Sequence, residues 1–286
     1  MESVRQPTPF ALGGYVSFWS GCYVAGCTLL AGLLLGGELE GLALPVWASF
    51  SIAMFVYVLH RHRRAARSTV PSSRGRYLIE HPGIQRLIML GFCLQAVVAT
   101  WMVHPVGLLL VVVAPAGALF YAAGSVGSQP RDMLLLKNLI VGGAIAALSV
   151  VLVLPGIEVV PADLLPVVFA LCGIVMIDAM LCDIDDREVD ASTETRTFPL
   201  WIGAGPTRIL AVGMECVAVM PLVVAGMVGV MPLGHGIVWA SVFILSMVFL
   251  QGVVRPAAWR DLIDLRLPVC VLLGWFILRM WSMSAT

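Results

Sequence analysis

Long hydrophobic stretches, separated by short polar connections, make up most of the chain. Nine of them are apolar for long enough to cross about 30 Å of hydrocarbon as α-helices. Their continuous rather than alternating apolar character favours helices over a barrel, because a spanning helix satisfies its own backbone hydrogen bonds. We therefore predict one all-α, polytopic transmembrane domain over residues 1–286. Its nine predicted spans are residues 11–35, 42–60, 85–103, 105–123, 138–155, 162–182, 207–229, 234–252 and 266–284.

The composition agrees with a membrane protein. The 286 residues are 60% hydrophobic and 12% charged, and the mean hydropathy is +0.97, which is far too apolar for a soluble domain of this size. The seven cysteines are scattered without paired spacing and are interpreted as free thiols. We expect the lipid bilayer to surround the chain and expect no nucleic-acid partner.

Positive charges are distributed unequally between the two sides of the nine-span pattern. The connections on one side carry nearly all the basic residues, whereas those on the other side carry none and contain acidic residues such as Glu38 and Glu158. By the positive-inside rule, we predict that the N-terminus and the larger loops are cytoplasmic and that the C-terminus lies outside. The protein is thus expected to be an integral, multi-pass membrane protein.

An acidic segment follows the sixth span, with six acidic residues between Asp183 and Glu194. If the preceding helix continues, Asp183, Asp186 and Asp190 project from one face, and we call these three residues the acidic stripe. Their carboxylates repel one another unless a cation lies among them. Because Mg²⁺ binds carboxylate oxygens and bridges them to substrate phosphates, the stripe indicates a magnesium site for a diphosphate. The alternative is a solvated helix end that is acidic without a ligand.

The order of these features resembles the UbiA superfamily of intramembrane prenyltransferases. The similarity is carried by the acidic stripe, with its Asp-x-x-Asp-x-x-x-Asp spacing, and by Arg196-Thr197-Phe198-Pro199, where the family commonly has an Arg-Thr-Leu-Pro-like string. Tyr121 and the segment 137–142 also look like the family's connection between spans four and five. The resemblance covers nearly the whole chain. It implies a UbiA-like bundle with cytoplasmic cap loops, in which aspartates hold Mg²⁺ against a prenyl diphosphate and basic residues bind its phosphates.

The first aspartate motif of that family is absent from this sequence. An Asn or Asp followed at four-residue spacing by two Asp is expected just after span two, but the corresponding positions hold His60, Arg64 and Ser68. One of the two magnesium sites therefore cannot form in the usual way. Guanidinium groups bind phosphate directly, which makes Arg61, Arg64 and Arg67 candidates for that role. The same basic cluster is also typical of a juxtamembrane segment that contacts anionic lipid.

The resemblance and the charge pattern together assign roles to individual residues. Asp183, Asp186 and Asp190 are the predicted metal ligands, and with Lys137 they are the predicted catalytic residues. Lys137 is alternatively an interface anchor, and Asp178, within span six, is alternatively a base, a cation-stabilising group or a helix–helix hydrogen-bonding residue. The candidates for diphosphate binding are His60, Arg61, Arg64, Arg67, Arg131, Lys137 and Arg196, and further candidate substrate contacts are Tyr121, Asn138 and Asp178.

The predicted function is Mg²⁺-dependent ionisation of a prenyl diphosphate, followed by transfer of the prenyl group to an acceptor, for which an aromatic compound is one candidate. Two alternatives stay open. In a terpene cyclase, the allylic cation is attacked by its own double bonds and no acceptor is used. A non-catalytic homologue would bind isoprenoid or a partner subunit, and the absent first motif favours that alternative.

Overall fold

The fold consists of α-helices joined by short connections. A computed structural model of the chain describes residues 8–67, 72–121, 123, 129–252 and 259–284, and these ranges contain helices and turns but no β-strand. The prediction of an all-α protein is thus confirmed. The helices are α1 (Pro9–Tyr15), α2 (Phe18–Leu34), α3 (Leu39–Arg67), α4 (Ser73–Glu80), α5 (Pro82–Val103), α6 (Leu108–Tyr121), α7 (Leu134–Val153), α8 (Pro161–Cys182), α9 (Arg187–Ser192), α10 (Phe198–Trp201), α11 (Ala204–Met227), α12 (Leu233–Gly252) and α13 (Trp259–Ser284).

Helices cover the nine predicted spans, but a count of nine membrane crossings is not confirmed. Six helices in the described ranges are long and apolar enough to cross a membrane. The number is seven if α1 and α2, which are bent by 73° from one another, form one span. α6 and the turn before it form a shorter apolar helix, Pro105–Tyr121. Within the described ranges, the six long apolar helices are Leu39–Arg63, Pro82–Val103, Leu134–Gly156, Pro161–Cys182, Ala204–Met227 and Leu233–Gly252.

Six helices pack into a closed ring. In the ring, α2 packs against α7, α7 against α8, α8 against α11, α11 against α12, α12 against α13, and α13 against α2 again. α3 packs on α2 from outside this ring and contacts α5 and α6. Because α13 closes the ring against α2, the last long helix of the chain is a neighbour of the first.

The helix surfaces divide into a buried face and a face for lipid. Leu171 and Ile174 of α8 are fully buried in the ring. Leu87, Ile209 and Phe249 lie on outward faces and are 74%, 76% and 71% exposed. Large apolar side chains that are this exposed on many helices indicate contact with a membrane rather than with water.

Gly142 lets α7 approach α8 closely. A Cβ atom at Gly142 would lie 2.6 Å from the carbonyl oxygen of Cys172, so a larger residue would force the two helices apart. Lys137 lies about one and a half turns before Gly142 on α7. The close approach therefore sets how near the start of α7 comes to the end of α8.

The basic residues 61–67, beyond the predicted end of span two at residue 60, are helical. α3 ends at Arg67 rather than at residue 60, and α4 follows. The hydroxyl of Ser72 accepts a 3.2 Å hydrogen bond from the backbone N–H of Gly75 at the start of α4. The hydrophobic pattern stops at residue 60, but Arg and Ala favour helix, so the backbone hydrogen bonds continue through the polar residues. His60 and Arg61 consequently lie on helical backbone.

Candidate active site

The acidic stripe lies where α8 ends. α8 stops at Cys182, residues 183–186 form turns, and α9 begins at Arg187, so one continuous helix is not formed. In the first turn of α9, the backbone N–H of Asp190 donates a 2.7 Å hydrogen bond to the carbonyl oxygen of Asp186. All three carboxylate residues of the stripe are buried. They lie together at one end of the bundle, which we call the acidic end.

Lys137 joins two carboxylates of the stripe. It lies in the first turns of α7, and its Nζ is 2.6 Å from Asp183 Oδ1 and 3.2 Å from Asp190 Oδ2. Lys137 is far from both aspartates in sequence, so these contacts depend on the packing of α7 against α8. The structure therefore brings together three of the residues that the sequence assigned to catalysis.

Arg260 joins the third carboxylate of the stripe. It lies at the start of α13, and its Nη1 is 2.8 Å from Asp186 Oδ2. Its backbone N–H also donates a 3.1 Å hydrogen bond to Asp185 Oδ2. The first turn of α13 is thus attached to the acidic end by both a side chain and the backbone.

Asp183 keeps one oxygen without a partner. Its Oδ2 is buried and accepts no hydrogen bond. Burial raises the pKa of Asp183 to about 6, with a further contribution from the Asp190 carboxylate, although the Lys137 ammonium acts in the opposite direction. Burial also raises the pKa of the neighbouring Asp185. An unpartnered, buried carboxylate oxygen among other hard oxygen donors fits a divalent cation such as Mg²⁺.

The carboxylates do not yet form a set of metal ligands. Within the described ranges, no three His, Cys, Asp or Glu side chains lie together in a way that would hold a metal ion. The ammonium of Lys137 and the guanidinium of Arg260 are instead the partners of the stripe. A bound metal would therefore have to replace these basic groups at the carboxylates.

Arg61 is held in the bend between α1 and α2. Its Nη1 donates hydrogen bonds of 2.7 Å to the carbonyl oxygen of Gly14 and 2.8 Å to Ser17 Oγ, and its Nη2 donates one of 3.0 Å to Ser20 Oγ. Ser20 in turn donates a 3.0 Å hydrogen bond to Asp264 Oδ2 on α13. A phosphate contact by Arg61 would require the guanidinium to leave these partners.

The structure also describes four other residues that the sequence assigned to substrate binding, which are His60, Tyr121, Asn138 and Arg196. The ring of His60, about two turns before the end of α3, and the ring of Tyr121, the last residue of α6, have their centroids 5.8 Å apart. Asn138 follows Lys137 on α7, and its buried Oδ1 has no hydrogen-bond partner. Arg196 is exposed, and its backbone N–H donates a 3.0 Å hydrogen bond to the carbonyl oxygen of Asp132.

Four positions from the sequence analysis are described only in part or not at all. Arg64 and Arg67 lie on α3, and Arg131 lies in the turn Pro130–Asp132, but their side chains are outside the described part of the structure. Ser68 is outside the described residues altogether.

Asp178 lies inside the bundle and forms part of a buried ion cluster. The guanidinium of Arg266 contacts Asp178 Oδ1 and Glu215 Oε1, each at 2.9 Å. The hydroxyl of Tyr23 donates a 2.8 Å hydrogen bond to Asp178 Oδ2. These contacts join α2, α8, α11 and α13, so Asp178 makes the helix–helix contact that was one of its alternatives. Intramembrane charges are expected to be paired in this way.

Sequence reasoning missed the two arginines of α13. Arg260 entered only as part of the positive-inside pattern, and Arg266 was placed at the edge of the ninth span. A signal was present, because Arg260, Asp261, Asp264 and Arg266 place four charges in the first turns of a helix that is mostly apolar after them. Their partners on other helices, however, are visible only once α13 is packed into the ring.

No protein-family model and no curated protein matches the sequence. Solved structures do match the fold. A structure of a UbiA homologue from Aeropyrum pernix K1 in its apo form is 14% identical, has a TM-score of 0.65, and is matched over 90% of this chain and 97% of its own length.

Two further solved structures match this fold, one of a homologue with ligands bound and one of a named enzyme. A UbiA homologue from Archaeoglobus fulgidus bound to GPP and Mg²⁺ is 10% identical, with a TM-score of 0.62 over 94% of this chain and 97% of that one. A structure of digeranylgeranylglyceryl phosphate synthase is 15% identical, with a TM-score of 0.51 over 93% and 97%. At such identities the likeness concerns the fold. The protein therefore has the fold of the UbiA homologues, as the resemblance in sequence predicted.

Proposed function

We propose that the protein is a membrane enzyme of the UbiA superfamily that binds a prenyl diphosphate at its acidic end and ionises it with Mg²⁺. The observation that carries this proposal is the pair of buried ion pairs that Lys137 forms with Asp183 and Asp190 after the end of α8. The shared fold supports it, because one structure of that fold is bound to GPP and Mg²⁺. The positive-inside pattern supports a cytoplasmic position for the acidic end.

Asp183, Asp186 and Asp190 would hold the metal once it replaces Lys137 and Arg260 as the partner of these buried carboxylates. Bound there, Mg²⁺ would offset the negative charge that develops on the departing diphosphate. Lys137 lies within reach of two of these carboxylates and would donate hydrogen bonds to the diphosphate as it leaves. Burial of the site keeps water away from the allylic cation.

The proposed fate of the cation is transfer to an acceptor, with an aromatic compound as one candidate. A second candidate function, a non-catalytic isoprenoid-binding protein, is favoured by one observation. Arg61, which lies beside the position where the family's first motif would begin, is hydrogen-bonded to α1 and α2. That half of the site is therefore closed by the chain's own groups.

Release of pyrophosphate tests the proposal. The full chain, purified in detergent, is incubated with Mg²⁺ and prenyl diphosphates of several lengths, with and without aromatic acceptors. Release is expected, and its loss is expected in Asp186→Ala but not in Glu158→Ala, which removes an exposed carboxylate before α8. Release that depends on an acceptor supports transfer, and release with a cyclic product supports the cyclase. Prenyl diphosphate binding without release from any substrate supports the non-catalytic protein.

A further inference from the structure

Arg260 forms an ion pair with Asp186, and its buried Nε has no hydrogen-bond partner. We infer that Arg260 is a diphosphate-binding residue that neutralises Asp186 while the site is empty and moves to the phosphate oxygens when metal and substrate bind. This inference rests on the proposed function and adds to it a residue from α13.

The contacts of Arg260 leave part of its hydrogen-bonding capacity unused. Nη1 is 2.8 Å from Asp186 Oδ2, with the Arg260 side chain 23% exposed and the Asp186 side chain 11% exposed. The Nε of Arg260 is buried and has no hydrogen-bond partner. A guanidinium has five N–H donors in a planar fork that matches two phosphate oxygens. Arg260 thus has a donor available at a site where an anion is proposed to bind.

The backbone of Arg260 explains how the side chain can move without displacing α13. Its N–H is bonded to Asp185 Oδ2 at 3.1 Å, and this contact is independent of the guanidinium. The neighbouring Asp261 is held by Arg74, with Nη2 2.6 Å from Oδ1. The start of α13 therefore stays anchored on both sides when the Arg260–Asp186 pair opens.

Two basic side chains act on the stripe in parallel. Lys137 contacts Asp183 and Asp190, and Arg260 contacts Asp186, so two positive charges face three carboxylates. Each carboxylate that becomes a metal ligand loses its basic partner, and each basic group set free lies beside the anion that the metal attracts. Bound Mg²⁺ would take over the carboxylates, and the two freed basic groups would face the negative charge of the diphosphate.

This exchange predicts two effects of opposite sign for Arg260→Gln. Without the diphosphate, the variant lacks the cation that competes for Asp186, so metal affinity rises. With metal at saturation, the variant lacks a phosphate donor, so diphosphate affinity falls. An arginine that only supports the fold would not give opposite changes, since loss of the fold weakens both affinities.

The experiment measures the two affinities separately on the full chain in detergent. Mn²⁺ is titrated in the absence of substrate and followed by electron paramagnetic resonance. The non-hydrolysable analogue geranyl S-thiolodiphosphate is then titrated at saturating Mg²⁺ by calorimetry. For Arg260→Gln we expect Mn²⁺ affinity to rise at least threefold and analogue affinity to fall at least tenfold.

Three further variants control the result. Arg187→Gln removes an exposed charge next to Asp186, and Arg279→Gln removes an exposed charge at the opposite end of α13; both are expected to change either affinity less than twofold. Arg260→Lys keeps the charge but not the planar fork. It is expected to restore wild-type Mn²⁺ affinity and only part of the analogue affinity.

The outcomes separate this inference from the proposed function. Unchanged affinities in Arg260→Gln, or two affinities that fall together while Arg260→Lys restores both fully, overturn the role of Arg260. The proposed function fails instead if the wild-type protein binds neither Mn²⁺ nor the analogue, or if Asp186→Ala binds both as the wild type does. The exchange is supported only if Arg260→Gln raises the affinity for Mn²⁺ and lowers the affinity for the analogue.

Discussion

The guanidinium of Arg61 donates a 2.8 Å hydrogen bond to the hydroxyl of Ser17, the residue at which the chain bends between α1 and α2. Ser17 has a φ of 69°, in the left-handed region that residues with a side chain rarely adopt. Such a conformation persists only when its surroundings hold it in place. Arg61 supplies that support from α3, together with its bond to the Gly14 carbonyl oxygen.

We expect Arg61→Ala to destabilise the protein by about 2–4 kcal/mol, because buried polar groups at Gly14, Ser17 and Ser20 lose a charged donor. Thermal unfolding in detergent measures the effect. Arg63→Ala, which removes an exposed arginine of the same helix, is the matched control and is expected to change stability by less than about 0.5 kcal/mol. Unaltered stability in Arg61→Ala, combined with weaker diphosphate binding, would instead identify Arg61 as a phosphate contact.

The buried ion cluster around Arg266 can be tested by removing its positive charge alone and by removing all of its charges together. Arg266→Leu leaves the carboxylates of Asp178 and Glu215 buried without their cation, and we expect a loss of about 3–5 kcal/mol. Adding Asp178→Asn and Glu215→Gln removes both negative charges and should restore most of the lost stability. Thermal unfolding of the single and triple variants provides the comparison. If the triple variant is no more stable than Arg266→Leu, charge imbalance is not the cause.

Metal binding is expected to weaken in acid. A carboxylate binds a metal in its deprotonated form, and the pKa of Asp183 is about 6. The Mn²⁺ affinity should therefore fall about tenfold between pH 7 and pH 5, measured by paramagnetic resonance without substrate. Asp183→Asn should bind Mn²⁺ more weakly and with a shallower dependence on pH over this range. An affinity that is constant from pH 7 to pH 5 would contradict the role of Asp183 as a ligand.

The same pKa predicts how stability of the metal-free protein depends on pH. The folded pKa of Asp183, about 6, lies above the ordinary aspartate value of 3.8. The folded state therefore holds this proton more tightly than the unfolded chain does, and the stabilisation from Asp183 is present at low pH and lost as the pH rises through about 6. Unfolding of wild type and Asp183→Asn at pH 4.5 and pH 7 tests this. The stability difference between the two proteins should shift in favour of Asp183→Asn at the higher pH.

Thr195 ties together two connections at the acidic end. Its hydroxyl donates a 2.9 Å hydrogen bond to Asp132 Oδ1, and Asp132 Oδ2 accepts one of 3.0 Å from the backbone N–H of Gln129. We expect Thr195→Val to keep the shape of the side chain and to lower the local free energy of unfolding by about 1–2 kcal/mol. Hydrogen exchange should become faster in residues 190–197 and stay unchanged in α12. Equal exchange rates in both proteins would show that the contact does not order the segment.

The sequence was sufficient for the elements whose signal is local. The predicted spans lie on helices because their apolar runs are long, although the bend at Ser17 divides the first span into α1 and α2. The acidic stripe follows the sixth span because its spacing can be read directly. The predicted end of α3, residue 60, was wrong by seven residues, because hydropathy marks the edge of the bilayer and not the end of backbone hydrogen bonding. The break in the helix after Cys182 had no clear local signal.

The partners of the charged residues could not be predicted from the sequence. Lys137 meets Asp183 because α7 and α8 approach closely at Gly142, and Arg260 meets Asp186 because α13 closes the ring. Both contacts depend on which helices become neighbours. A single sequence contains the charges of such a pair but not the packing that joins them.

The place of Arg260 at the start of the last helix also bears on how the protein is made. Residues 183–190 are synthesised about seventy residues before Arg260, as the numbering shows. Until the ribosome has produced α13 and the helix has packed beside α2, Asp185 and Asp186 lack the partner that they have in the finished molecule. The acidic end therefore acquires this partner only after α13 has been made and packed, so a chain that stops before α13 lacks the Arg260 contacts.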